Sequence, residues 1–398
     1  MLSKHQMNTF SPQNVAFTHG VGAWLYTTDG RKILDGLAGI AVNGLGHAHP
    51  RLTKAISDQA GKIIHASNLV HIPEQAALAD RICELANMDN VFFGNSGSEA
   101  NECAIKLARL YGHQRGITNP QIIVMERAWH GRTLATLAAS GSRKAQAGFE
   151  PLVTGFIRVP YNDIAAIRAI AEHNNDVVAV LTEVLQGEGG IYAARADYLR
   201  ELRALCSDKQ WFMMIDEVQS GIGRTGKWFA HQWAGIIPDV MPLAKGLGSG
   251  LPIGACLAKG VAATVFKPGN HGTTFGAGPL VSVAALTTLD IMVAENLLDN
   301  AAKMGALIKA EFTKAFNHIA AVKEVRGMGL MLGIELDRPC AEVVKIALEA
   351  GVFINCTHEN VLRILPPLII NEAEARWLVL RVTGAIESFL ADPQQIPA

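Results

Sequence analysis

Short apolar runs alternating with helical segments constrain the fold of this chain more than any other feature. Residues 91–93, 121–125, 177–181 and 211–215 are apolar on both faces. A strand of that kind is stable only where helices cover both sides of its sheet. Residues 99–111 and 197–206 carry helical periodicity between these runs, which predicts an open, mainly parallel α/β sheet. Earlier, residues 22–35 alternate apolar and polar around Asp29-Gly30, a hairpin signal, and residues 52–64 and 73–86 read as helices. From Pro279 the pattern is helix-led: helices over residues 279–295 and 301–316, then strands at 331–336 and 362–365 bracketing a helix at 341–350. The expected organisation is a large α/β domain over residues 51–285 and a smaller α+β domain made from residues 1–50 and 286–398.

Lys and Arg total 35 against 36 for Asp and Glu, so charge favours neither nucleic acid nor a membrane surface as a partner. A small-molecule substrate is expected. No run is long and apolar enough to span a bilayer, and residues 1–17 lack the apolar core of a secretory signal. The six cysteines show no metal-ligand spacing, which suits reduced thiols in the cytoplasm. His47 and His49 read as parts of a turn rather than metal ligands, because no acidic or thiol partner stands out beside them; no metal is expected.

Four stretches carry chemistry. VFFGNSGSEANE runs a strand through Gly94–Ser98 into a helix, where free amides and the helix dipole favour an anion, although an ordinary N-cap would look the same. It has neither the ending of a P-loop nor a dinucleotide fingerprint. AWHGRT sets an aromatic, a histidine and an arginine after the strand ending at Met125. WFMMIDEVQSGIGRTG puts Asp216 at the end of a buried strand, where a lone carboxylate is costly unless a donor meets it. PDVMPLAKGLGSGLPIG surrounds Lys245 with glycines that let backbone approach a bound group and adopt positive φ. A phosphate cradle, a buried carboxylate, an aromatic face and an amine together suit pyridoxal 5'-phosphate.

NSGSEANE, WHGRT, QGEGG, DEVQSGIGRTG, AKGLGSGLPIGA and HGTTFG occur in an order that resembles the class III, fold type I, pyridoxal-phosphate aminotransferases. GLAGIAVNGLGHAHP and SNLVHIPEQ are most similar to that family's acetylornithine-using members of arginine biosynthesis. The resemblance implies that Lys245 bonds the cofactor and moves the proton, that Asp216 pairs with the ring nitrogen, and that Gln219 reaches the ring hydroxyl. It implies Gly97 and Ser98 at the phosphate, joined by Thr274 of the partner subunit in a homodimer, with Trp129 and Val218 on the two ring faces. Arg132 and Arg363 match the carboxylate-binding arginines, Glu188 the glutamate that masks Arg363, and Thr273 a substrate contact.

The implied reaction moves the terminal amine of N2-acetyl-L-ornithine to 2-oxoglutarate. Succinylornithine, ornithine or 4-aminobutyrate as donor, or an aminomutase reaction, are the alternatives. The chain departs from the family pattern at Val184, where proline is usual, at Trp129 for the commoner phenylalanine, and at Ala277-Gly278 for Gly-Asn.

Overall fold

The computed structural model of the chain describes residues 5–392. Strands β1 (Phe17–Val21), β2 (Trp24–Thr27) and β3 (Lys32–Asp35) form an antiparallel meander, with Asp29-Gly30 between β2 and β3. The central sheet then draws on β4 (Asn90–Gly94), β5 (Gln121–Met125), β6 (Phe156–Val159) and β7 (Val177–Glu183). A small ribbon of β8 (Leu185–Gln186) and β9 (Tyr192–Ala193) follows, and β10 (Phe212–Asp216), β11 (Val240–Leu243) and β12 (Gly254–Ala258) complete the sheet.

The seven central strands lie in the order β4-β12-β11-β10-β7-β5-β6. All neighbours run parallel except at β12, which is antiparallel to both β11 and β4. Chain length explains the exception. A parallel return needs a crossover of about a dozen residues or more, and only residues 244–253 separate β11 from β12. That tight connection contains Lys245.

Burial on both faces follows from the sequence pattern. Ile123, Val180 and Met213 pack on one side of the sheet with Tyr198 and Leu202. Ile122, Leu181 and Met214 pack on the other with Ala104 and Leu107 of the helix Gly97–Gln114. The carboxyl ends of the parallel strands therefore collect, along one edge, the segments that follow Gly94, Met125, Glu183, Asp216 and Leu243, the usual position of a ligand crevice in such sheets.

After the helices Pro279–Ala294 and Leu297–Phe316, which meet at a 67° bend, come β13 (Val322–Met328), β14 (Met331–Leu336), β15 (Val352–Phe353), β16 (Asn355–Thr357) and β17 (Val361–Ile364). Strands β13, β14, β17 and β16 make an antiparallel sheet in that order, while β15 leaves it to pair in parallel with β3. The helix Glu372–Ala391 starts with a capping box between Asn371 and Glu374, and Glu374 also accepts from the Trp24 indole at 2.7 Å. Leu34, Met292, Phe312, Ile364 and Leu378 belong to one continuous apolar core, so both ends of the chain are packed together.

The structure corrects several expectations. The helix expected over residues 52–64 runs instead from Pro50 to Ala60 and stops before Gly61. The strand expected to begin at Trp211 begins at Phe212. Asp35, overlooked as a neighbour of the histidines, pairs through Oδ2 with His47 Nε2 at 2.8 Å, and His49 pairs with Glu295 at 3.0 Å. Both histidines tie the turn to the rest of the fold.

Candidate active site

A cavity of about 340 Å³ opens at the carboxyl ends of the parallel strands, with Gly97, Trp129, Asp216, Val218, Gln219 and Lys245 in its wall. Ser96, extended in backbone, caps the helix Gly97–Gln114 by accepting from Glu99 N at 3.2 Å. Gly97 and Ser98, which open the helix, line the cavity, and the amides at such a helix start have no carbonyl one turn back to bond and so suit an anion. Gly97 is closely approached: a Cβ there would stand 2.6 Å from Val218 Cγ1, so a larger residue requires a shift.

Asp216 is 5% exposed and meets three partners, which leaves Oδ1 able to accept once more. Its Oδ2 accepts from Asn101 Nδ2 at 2.8 Å and pairs with His130 Nδ1 at 2.8 Å, while Oδ1 accepts from Val218 N at 2.9 Å. Neither Asn101 nor His130 was assigned a role from sequence. Asn101 could have been found: it sits one turn into a helix whose inner face is otherwise small and apolar.

Beside Asp216, in register on the neighbouring parallel strand, is Glu183. It is buried, and accepts from Trp129 N at 3.0 Å through Oε2 and from Gly187 N at 3.3 Å through Oε1. Burial, followed by the nearby Asp216 charge, pushes its carboxyl well above the ordinary carboxylate range.

Lys245 follows β11 and has φ +44°. Of the three glycines after it, only Gly250 has positive φ; the left-handed backbone falls on Lys245 itself and on Ser249. Such a conformation costs a non-glycine residue about 1 kcal/mol or more and is held by its surroundings. Burial pulls the Lys245 amine down to about 8, partly opposed by Glu188 and assisted by Arg363.

Arg363 is almost wholly buried and bonds Glu188 Oε1 through Nη1. It also donates to Gln219 Oε1 at 3.3 Å and, through Nε, to Asn355 Oδ1 at 3.1 Å. Burial raises the Glu188 carboxyl, but the guanidinium outweighs it and holds the group below the usual range. Arg132 stands apart from this pair, its guanidinium 4.8 Å from the centre of the Trp129 ring. Thr273 and Thr274 are not in the wall of their own chain's cavity; Thr273 Oγ1 accepts from Asn95 Nδ2 at 3.1 Å.

These groups fit pyridoxal 5'-phosphate: a helix N-terminus closely approached at Gly97, a buried carboxylate held in place by its partners, an indole wall and a lysine whose proton is weakly held. Fold and site together define a pyridoxal-phosphate-dependent aminotransferase. The chain belongs to the class III aminotransferase family, whose description matches residues 6–386. It is 56% identical over 393 residues to acetylornithine aminotransferase 1 of Bordetella bronchiseptica, covering 99% of this chain and 100% of that one. An acetylornithine aminotransferase structure from Elizabethkingia anophelis is 33% identical with a TM-score of 0.87, covering 97% of each chain. An ornithine aminotransferase structure from Toxoplasma gondii, with partial occupancy of pyridoxal phosphate at its active site, is 29% identical with a TM-score of 0.93, covering 97% of this chain and 92% of that one.

Proposed function

We propose that this enzyme transfers the terminal amino group of N2-acetyl-L-ornithine to 2-oxoglutarate, giving N-acetyl-L-glutamate 5-semialdehyde and L-glutamate. The observation that carries the reading is the buried Arg363, closed by Glu188 and bonded to Gln219 in the wall of a cavity fit for the cofactor. A closed arginine leaves room for an amine-bearing chain. An opened one offers a fork for the second carboxylate of a dicarboxylic acceptor. The name of the Bordetella relative supports acetylornithine as donor.

Pyridoxal phosphate supplies an aldehyde that takes up amines and a protonated ring that draws electrons from the carbon losing its proton. The helix amides at Gly97 and Ser98 would hold its phosphate, with Thr274 of the partner subunit, and Trp129 and Val218 would enclose its ring. Asp216 would pair with the ring nitrogen, and Gln219 would serve the ring hydroxyl. Lys245 carries the cofactor and then takes and returns the proton at its Nζ, which a weakly held proton favours. Arg132 orients a substrate carboxylate, and Thr273 borders the substrate.

We place the enzyme in the cytoplasm as a homodimer. Free cysteines agree with a reducing compartment. Leu69 and Phe275, 93% and 66% exposed, provide apolar surface that a second copy would cover. The deciding experiment compares kcat/KM for N-acetylornithine, succinylornithine, ornithine and 4-aminobutyrate with 2-oxoglutarate as acceptor. Acetylornithine is expected to lead; preference for an unacylated amine would overturn the substrate assignment.

A further inference from the structure

Glu183 lies in the cavity wall but has no part in the roles proposed above. A buried carboxylate is costly in a place where an apolar residue could line the wall, unless its oxygens are needed. Those oxygens go to two different segments. Oε2 accepts from the main-chain N–H of Trp129, whose indole forms one wall of the cavity. Oε1 accepts from the N–H of Gly187, the residue immediately before Glu188.

Gly187 has little freedom to shift by itself. A Cβ at that position would stand 2.4 Å from Gln219 Nε2, and the Gly187 carbonyl accepts from Arg363 Nη1 at 3.5 Å. Arg363 also donates to Gln219. A continuous set of contacts therefore runs from the Trp129 amide through Glu183 and Gly187 to the Glu188–Arg363 pair.

We propose that Glu183 is a positioning residue that ties the indole wall at Trp129 to the arginine gate at Glu188 and Arg363, so that the two move as one unit; this rests on the roles proposed for Trp129 and Glu188. Acceptor geometry, not charge, is what the position uses. Asp216 already provides a negative charge alongside, and burial disfavours a second.

Glu183→Gln keeps the shape of the neutral acid but replaces one acceptor oxygen with an NH2 group, which cannot accept from an amide. In the holoenzyme, hydrogen exchange at the Trp129 or Gly187 amide is expected to quicken by about tenfold or more, the loss expected for one buried hydrogen bond. The half-reaction with acetylornithine and that with 2-oxoglutarate should fall unequally, while adding Glu188→Ala should change their ratio little beyond Glu188→Ala alone. Glu183→Asp, which keeps both acceptor oxygens but draws them back by one methylene, should quicken the same amides; this second variant serves if the first does not fold.

Unchanged exchange at both amides, or equal losses in both half-reactions for Glu183→Gln, would overturn the positioning role. Equal half-reactions in Glu188→Ala alone would instead sink the gate on which the proposal rests.

Discussion

An ordinary lysine is a cation near neutral pH, while attack on an aldehyde needs the neutral amine at Lys245. Burial resolves the conflict by lowering its proton affinity to about 8. The neutral fraction grows as pH rises through that value, so uptake of pyridoxal phosphate by unloaded protein, followed by absorbance, should accelerate with pH and level off above about 8. A rate indifferent to pH on both sides of that value would count against a low-pKa amine. Lys245→Ala should lower transamination by at least about a thousandfold in a coupled glutamate assay; normal turnover would refute the assignment. At the gate, Glu188→Ala removes the group that closes Arg363, and stopped-flow measurement of the separate half-reactions should show unequal changes. Asp216 was legible in the sequence because it ends a buried strand, and Gly97 and Ser98 because they open a helix; Trp129 in a loop, Glu188 in a turn and Arg363 within a strand received roles only through the resemblance of their motifs. Asn101 and His130 were not assigned: the helix pattern marks Asn101 as a polar residue on an apolar face, but no local spacing reveals that it and His130 meet Asp216 across 115 and 86 residues.

At the scale of elements, the helix Gly97–Gln114 depends on a cap and a close approach at the same end. Ser96→Ala should destabilise the protein by ~1 kcal/mol through loss of the cap, read as a lower midpoint in chemical unfolding. Gly97→Ala forces a methyl group within 2.6 Å of Val218 Cγ1, and the resulting shift should weaken cofactor binding by about tenfold, measured by fluorescence titration. Unaltered binding would show that Val218 yields freely. Strands apolar on both faces and helices with clear periodicity were legible before the structure. Strand β11 was not, because Pro242 speaks against a central strand; here its carbonyl still accepts from Glu217 N. The helix Glu372–Ala391 escaped because its pattern follows two separate surfaces, the Leu297–Phe316 and Ala341–Glu349 helices, rather than one stripe.

For the whole molecule, the proposed sharing of sites between two copies has a direct test. Subunits carrying Lys245→Ala and subunits carrying Thr274→Asp should each be inactive as pure dimers, yet mixed dimers should regain activity, since one of their sites has both an intact lysine and an intact threonine. No recovery would argue that each chain completes its own site. Sequence pattern conveyed a hairpin near residues 22–35 and a helix-led later part with two strands, but the pairing of β3 with β15 joins positions no periodicity connects. That pairing bears on how the protein is born. Leu34 meets Val352, so at ribosomal rates of ~5–20 residues per second the emerging meander waits roughly fifteen seconds to a minute for its last strand. Throughout that interval an unpaired strand edge is on offer to chaperones, proteases and neighbouring nascent chains, and slower translation of the codons between Leu34 and Val352 would lengthen the risk.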